Sequence, residues 1–216
     1  MNCLVTAGPT YEALDEVRRL TNFSTGRLGS ELASFLAAHG HCATLLIGQQ
    51  ATWQGERSAE QVETFTTTAD LRDRLHSRAG HSVDAVFHAA AVSDFTFGKV
   101  WERTASGELI EAQAGKISTR HGTLLAELVP TPKIISHLRE WFPRARLIGW
   151  KYEIDGDRTR VLVKAREQLI ENKTDACVAN GKAYGPGFGW VTLTSEPTHF
   201  ADRPVLYQAL EQFARC

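Results

Sequence analysis

Asn22, Ser24, Thr25, Gly26 and Gly29 fall within eight residues of chain, and the helical apolar pattern Leu28, Leu32, Phe35 and Leu36 starts inside that stretch. An asparagine amide offers an NH2 donor to a developing oxyanion and a carbonyl to a hydroxyl. Glycines at a helix start let a phosphate approach free N–H groups and the positive helix end. Ahead of this loop, an apolar strand, Cys3-Leu4-Val5, runs into the turn Gly8-Pro9-Thr10. The spacing matches neither the P-loop nor the dinucleotide fingerprint. It reads as a nucleotide or phosphate site of another kind, with helix capping by Asn22 or Ser24 as the plainer alternative.

Other positions can contribute to the same chemistry. Arg18 and Arg19 precede the loop, and a guanidinium pairs with phosphate through its planar fork. His88-Ala89-Ala90-Ala91-Val92-Ser93-Asp94 closes an apolar run. Its three alanines leave room for a flat ligand, and the Asp94 carboxylate can accept from a ribose hydroxyl. His88, inside the apolar run, reads as a core histidine rather than a base. Lys116 stands beside Gly115, a flexible cation suited to a phosphate whose geometry changes. Thr131-Pro132-Lys133-Ile134 is a rigid entry to a helix. Trp150, at the end of another apolar strand, can cover a base or simply pack.

Those positions need a scaffold with several strand ends along one edge. Apolar runs at Cys3–Thr6, Ala43–Ile47, Val62–Phe65, Val83–Ala91, Leu147–Trp150 and Ala176–Ala179 read as strands. Between them, Gly26–His39, Ala69–Ala79, Ile134–Trp141 and Val161–Glu171 read as helices, and Trp190–Leu193 and a Val205–Ala214 helix finish the chain. This alternation predicts an α/β fold: a doubly wound, mostly parallel, Rossmann-like sheet with helices on both faces. Ligands of such sheets sit at the carboxyl ends of strands, where strand order reverses. Gln49–Gln61 reads as a surface loop. Phe95–Val129 lacks a helical period and reads as a β-rich flap, too long for a structureless loop.

The 216 residues read as one domain, 1–216, with the flap at about 95–129. Lys and Arg total 24 against 25 Asp and Glu, so no strong field draws the chain to nucleic acid. No run reaches the length of a membrane span. Cys3, Cys42, Cys177 and Cys216 are scattered without a CxxC pair and read as buried free thiols of a cytoplasmic protein. With the first strand beginning at residue 3, no signal peptide is expected. No metal-ligand cluster stands out.

Taken in order, TAGPT, VRRLTNFSTGRLG, AAAVSDF, KIS, PTPKI, GWKYE and DACVAN make the chain resemble the phosphopantothenoylcysteine synthetase family, in a freestanding form. The resemblance spans roughly Cys3 to Leu193. It implies an enzyme, a ligase of coenzyme A biosynthesis joining 4′-phosphopantothenate to cysteine. The acid first attacks the α-phosphate of CTP (or ATP), releasing pyrophosphate, and the cysteine amine then displaces the nucleotide. Mg2+ is carried on the phosphates. By position, Asn22, Lys116 and Arg18 match the family's catalytic residues. Gly8, Ser24, Thr25, Gly26, Asp94, the backbone of His88, Ala89 and Ala90, Thr131, Pro132, Lys133, Ile134 and Trp150 match its nucleotide pocket, with Trp150 where Phe is usual. The resemblance also implies a homodimer joined through the flap, and a separate phosphopantothenoylcysteine decarboxylase as a partner.

Several departures bear on activity. Two family lysines that touch the triphosphate fall at Gln168 and Asn172, and Ser118 and Thr119 follow the flap's Lys-Ile pair. Losing two charge-assisted contacts costs on the order of 1.5–3 kcal/mol each. The alternative function is therefore a noncatalytic or diverged paralogue that binds a nucleotide or a phosphopantetheine-like ligand. A nucleotide-dependent oxidoreductase is disfavoured by the missing dinucleotide fingerprint.

Overall fold

The computed structural model describes residues 1–112 and 122–215. β1 (Asn2–Ala7) is followed by a short hairpin, β2 (Tyr11–Ala13) and β3 (Arg19–Thr21), and then by α1 (Arg27–Ala38). β4 (Cys42–Gly48), β5 (Gln61–Phe65), α2 (Thr68–His76) and β6 (Ala85–His88) complete the first half. The flap follows as β7 (Phe95–Arg103), β8 (Leu109–Glu111) and β9 (Thr123–Pro130). A 3-10 turn, Ile134–His137, runs into α3 (Leu138–Trp141) and β10 (Arg146–Tyr152). α4 (Arg158–Asn172), β11 (Ala176–Asn180), β12 (Phe188–Val191), β13 (Thr198–Phe200) and α5 (Arg203–Arg215) end the chain.

Eight strands form the main sheet in the order β13-β12-β11-β10-β6-β1-β4-β5. From β5 to β11 all neighbours are parallel; β12 and β13 add antiparallel strands at one edge. From β1 the chain moves outward to β4 and β5, then returns to lay β6 on the other side of β1. The order therefore reverses between β1 and β6, where a ligand crevice is expected.

Strand alternation divides the core into two layers. Val5, Leu45, Phe87, Ile148 and Val178 pack with Leu32 and Leu36 of α1 and Leu206 and Leu210 of α5. Leu4, Leu46, Val86 and Leu147 face the other way, onto Leu71 and Leu75 of α2 and Leu138 of α3. On that second face α4 lays Val161, Ala165 and Leu169 over Cys177 and Ala179. Helices thus cover both faces, as the alternation requires.

Local chemistry sets the boundaries. Thr67 caps α2 by accepting from Asp70 N–H, and Asp157 caps α4 by accepting from Arg160 N–H at 2.8 Å. α4 ends on Lys173 in the left-handed region (φ 53). Gly29 lets α1 lie on β1: a Cβ there would stand 2.6 Å from Ala7 Cβ and 3.1 Å from Thr6 O.

Some elements differ from expectation. The strand expected over Val83–Ala91 ends at His88, because the chain bends at Ala89, whose N–H reaches Phe87 O and Thr6 O. Ile134–Trp141 is helical only in two tight pieces, a 3-10 turn and one α turn. The flap is three antiparallel strands in the order β8-β7-β9, with a register shift between Phe97 and Val100. Of the cysteines, Cys3 and Cys177 are buried thiols, whereas Cys42, the first residue of β4, is exposed; Cys216 lies outside the described residues. Among the described residues, no helix is long and apolar enough to cross a membrane.

Candidate functional site

Three strand-end loops are stitched together at the carboxyl edge of the sheet. After β1, the Gly8 carbonyl accepts from Ala91 N–H at 2.9 Å, and Thr10 N–H donates to Ala91 O at 3.1 Å. The Thr10 hydroxyl accepts from Ser93 N–H at 2.8 Å. From the flap's return, Thr131 N–H donates to Asp94 O at 3.0 Å and its hydroxyl donates to Ser93 O at 2.5 Å. The polar groups of Thr10 and Thr131 thereby hold the Ala89–Asp94 loop in place from two sides.

These loops border a cleft of about 430 Å³ on the α3/α4 face, over the ends of β6 and β10. The volume lies within the range of small-molecule sites. His88, Ala90 and Asp94 line it from β6 and its loop. Thr131, Pro132, Lys133 and Ile134 form the opposite side, and Trp150 closes the β10 end. Eight of the residues chosen from the sequence are thus brought together. Val92, Ser93, Ile135, Lys151, Lys164, Glu167, Gln168, Glu171 and Asn172 also line the cleft. The α4 residues among these lie at helical spacing; nothing in the sequence alone said which face of α4 would look into a cleft.

Charged and uncharged groups both line the cleft. Lys151 and Lys164 both pair with Glu153, at 3.3 and 2.7 Å. The Lys164 hydrogen bond, more than any other influence, holds the Glu153 carboxyl below its usual range. The α4 wall carries half-buried Gln168 and buried Asn172, with Glu167 and Glu171 exposed beside them. Gly149 makes room for this wall, since a Cβ there would stand 2.7 Å from Gln168 Nε2 and 3.0 Å from Ile135 Cδ1. Trp150 is half-buried, and its buried indole N–H has no hydrogen-bond partner among the described residues.

The glycine loop does not line this cleft. Gly8 and Gly26 both have positive φ (75 and 76°), and a Cβ on either would stand 2.9 Å from Ala51 Cβ. A side chain at either position would therefore collide with the residues after β4. Gly29 is likewise used by β1. Ser24 and Thr25 sit at the entry to α1: Thr25 Oγ1 accepts from Arg27 N–H, and Thr25 O accepts from Trp53 N–H at 3.0 Å. The loop after β4 thus covers the start of α1. α1 belongs to the opposite face of the sheet from the cleft.

Asn22 spans the gap between the two. Its amide donates to Ala91 O at 3.1 Å, beside the cleft-lining Ala90. Arg18 sits in the β2–β3 turn, where its guanidinium pairs with Asp15, whose carboxylate also accepts from Val17 and Arg18 N–H. Arg18 lies apart from the cleft lining. Arg19 stacks over Tyr11, 4.6 Å from the ring centre. Lys116 lies outside the described residues.

A family model for the DNA/pantothenate metabolism flavoprotein C-terminal domain matches residues 1–196. The chain belongs to that family, as its ordered motifs led one to expect. It is 32% identical over 184 residues to the coenzyme A biosynthesis bifunctional protein CoaBC of Thermococcus kodakarensis, covering 84% of this chain and 42% of that protein. The chain spans less than half the length of the curated relatives it matches. Its fold superposes on the DNA/pantothenate metabolism flavoprotein from Streptococcus pneumoniae with a TM-score of 0.84 and 26% identity, covering 100% of this chain and 98% of that one. A Cab2 mutant in complex with phosphopantothenate-cysteine shares the fold at a TM-score of 0.67 and 17% identity, over 99% of this chain and 88% of its own.

Proposed function

We propose that this chain is a phosphopantothenate–cysteine ligase of coenzyme A biosynthesis, using CTP (or ATP). The observation that carries the reading is the cleft at the carboxyl edge of β6 and β10, where eight residues picked from the family motifs converge. That a Cab2 relative is seen with phosphopantothenate-cysteine supports the choice of acid and amine.

In this reading the nucleotide lies in the cleft and the acid approaches from the glycine-loop side, with Asn22 between them. A carboxylate oxygen of 4′-phosphopantothenate attacks the α-phosphorus, and the bond to the pyrophosphate leaving group breaks. The cysteine amine nitrogen then attacks the acyl carbon, loses a proton, and expels the nucleoside monophosphate. In this reading the Asn22 amide moves from Ala91 O to the anionic acyl-nucleotide. Lys116, from the flap, and Arg18 supply positive charge to the phosphates, Arg18 by exchanging its Asp15 partner.

Among the described residues no group of three or more His, Cys, Asp or Glu side chains stands together as a metal cage. Mg2+ would be carried by the nucleotide's phosphates rather than by a protein cage, and would offset their charge. The exposed apolar side chains of the flap, including Leu109 and Leu128, support a homodimer. In this reading the chain works in the cytoplasm, and a phosphopantothenoylcysteine decarboxylase consumes its product.

A second reading, a noncatalytic nucleotide binder, is favoured by the α4 wall, which offers Gln168 and Asn172 where the resemblance expects lysines. Exchange of labelled pyrophosphate into CTP or ATP, dependent on added phosphopantothenate, separates the two. Exchange is expected of the ligase. Nucleotide binding without exchange, and without product when cysteine is added, overturns the catalytic reading.

A further inference from the structure

At the opposite end of the sheet from the cleft, the amino ends of four neighbouring strands, β1, β6, β10 and β11, border a second cavity of about 410 Å³. Arg139, Arg144, Arg146 and Arg215 line it, with Asp84 and Asp175 as its carboxylates. The chain as a whole is nearly balanced, with 24 Lys and Arg against 25 Asp and Glu, so four guanidiniums around one cavity are a local excess. Two of the four are engaged by the fold. Arg139 Nη2 donates to Asp175 Oδ2 at 2.7 Å, and its other donors reach Lys173 O at 3.1 Å, Ala145 O at 2.9 Å and Pro143 O at 3.3 Å. Arg215 Nε donates to Glu211 Oε1 at 2.6 Å.

The guanidiniums of Arg144 and Arg146 have neither a hydrogen-bond nor a carboxylate partner among the described residues. Arg146 is half-buried, with its guanidinium 5.3 Å from the centre of the Phe213 ring. A ring face stabilises the charge but leaves the edge N–H donors without acceptors. Elsewhere the half-buried Arg74, Arg78 and Arg203 each have a carboxylate. The backbone beneath the two arginines is fixed. Arg146 N–H donates to Asp84 O at 2.8 Å, and Arg139 grips the carbonyls of Pro143 and Ala145 on either side of Arg144. The carboxylates are engaged as well: Asp175 Oδ2 also accepts from Leu147 N–H at 2.7 Å, and Asp84 Oδ2 accepts from Asn2 N–H at 2.7 Å.

We propose that Arg144 and Arg146 form a second anion site, at the far end of the sheet from the cleft, that takes the phosphoryl group of a small phosphate monoester. The planar fork of a guanidinium matches two phosphate oxygens at once. A phosphate monoester carries close to two negative charges at neutral pH, which two unpaired guanidiniums balance. Asp84, the lining carboxylate without an ion pair, sets repulsion against a longer polyphosphate. The cavity volume falls in the range of small-molecule sites, so it holds the body of a small metabolite as well as its phosphoryl group. Ala145 and Ala214 give that body an apolar wall. β6 and β10 run from this cavity to His88 and Trp150 at the cleft, but the site does not depend on what the cleft binds.

Calorimetric titration of the full chain with glycerol 3-phosphate tests it, and backbone amide NMR shifts locate the binding. The expected result is binding with shifts at Ala145, Arg146 and Leu147. Replacing both arginines, Arg144→Ser with Arg146→Ser, should weaken it about tenfold or more, one charge-assisted hydrogen bond being about that large. Arg146→Lys keeps the charge and loses the fork, and should weaken it about threefold or more. Arg144 is exposed, so Arg144→Ser alone decides the matter if the changes at Arg146 prevent folding; it too should weaken binding about threefold or more. No binding to the parent protein overturns the inference. So does an affinity unchanged in Arg144→Ser, or a set of shifts confined to the cleft.

Discussion

At the scale of single residues, the burial of His88 ties stability to pH. In the unfolded chain a histidine titrates near 6.5; buried here, it resists protonation until about pH 4. The folded state thus binds fewer protons across that window. The stabilisation is complete above the unfolded value and is lost as pH falls through the window toward the folded one. Between pH 7 and 4.5 the loss should be about 2 kcal/mol. His88→Phe should remove that part of the acid sensitivity. Urea denaturation of both proteins at the two pH values measures it, since other titrating groups are common to both. Equal acid sensitivity would mean that His88 is protonated without penalty in the fold. Asn22 is the contrasting case, exposed and joined to Ala91 O by one hydrogen bond. That carbonyl keeps Thr10 N–H as a partner when Asn22 is truncated. Asn22→Ala should therefore melt within a few degrees of the parent while pyrophosphate exchange falls about 10²–10³-fold, as when an oxyanion donor is lost. Exchange near the parental rate would leave Asn22 as a loop fastener.

At the scale of elements, the long apolar segments were the legible ones. β1, β4, β10 and β11 are nearly continuous apolar runs because helices cover both faces, and α1 and α5 carry clear apolar stripes. The hairpin β2–β3 was not legible: each strand has three residues, and β3 is fully exposed, so no alternation marks it. β13 escaped for the same reason. The site was readable where a strand end and its loop are one contiguous motif, as at His88–Asp94 and Thr131–Ile134. It was not readable on α4, because which face of a helix borders a cleft depends on packing between distant elements. Gly26 and Gly29 also answer to packing that their spacing does not reveal, against Ala51 and β1 respectively. Gly29→Ala accordingly tests an element contact. Its Cβ would meet Ala7 Cβ and Thr6 O, both in β1, so α1 must shift. The expected cost is about 1–3 kcal/mol in denaturant unfolding, as for overpacking in general. An unchanged midpoint would show that α1 moves off β1 freely.

At the scale of the whole molecule, the flap stands apart from the two-layered core. Its three strands are hydrogen-bonded to one another in a sheet of their own, and among its described residues Val100 is the buried hydrophobic one. Phe95, Leu109, Ile110, Leu128 and Val129 are exposed on it, and Phe23 of the Asn22 loop is fully exposed as well. Burying large apolar side chains contributes about 1.5–3 kcal/mol each, so leaving this many in water forgoes much stabilisation unless a second surface covers them. A twofold dimer is the commonest way to cover such a patch, because each copy presents the same patch to the other. The partner's flap would then sit close to the loop that carries Asn22, joining the two sites to one assembly. Sedimentation velocity across the micromolar range should show a dimer. Leu128→Asp, whose side chain is exposed in the monomer and so adds little folding cost, should shift the equilibrium to monomer and lower pyrophosphate exchange in step. A parent protein that sediments as a monomer throughout would show that the flap's apolar surface has another occupant. A Leu128→Asp protein that remains dimeric would place the interface on a different face.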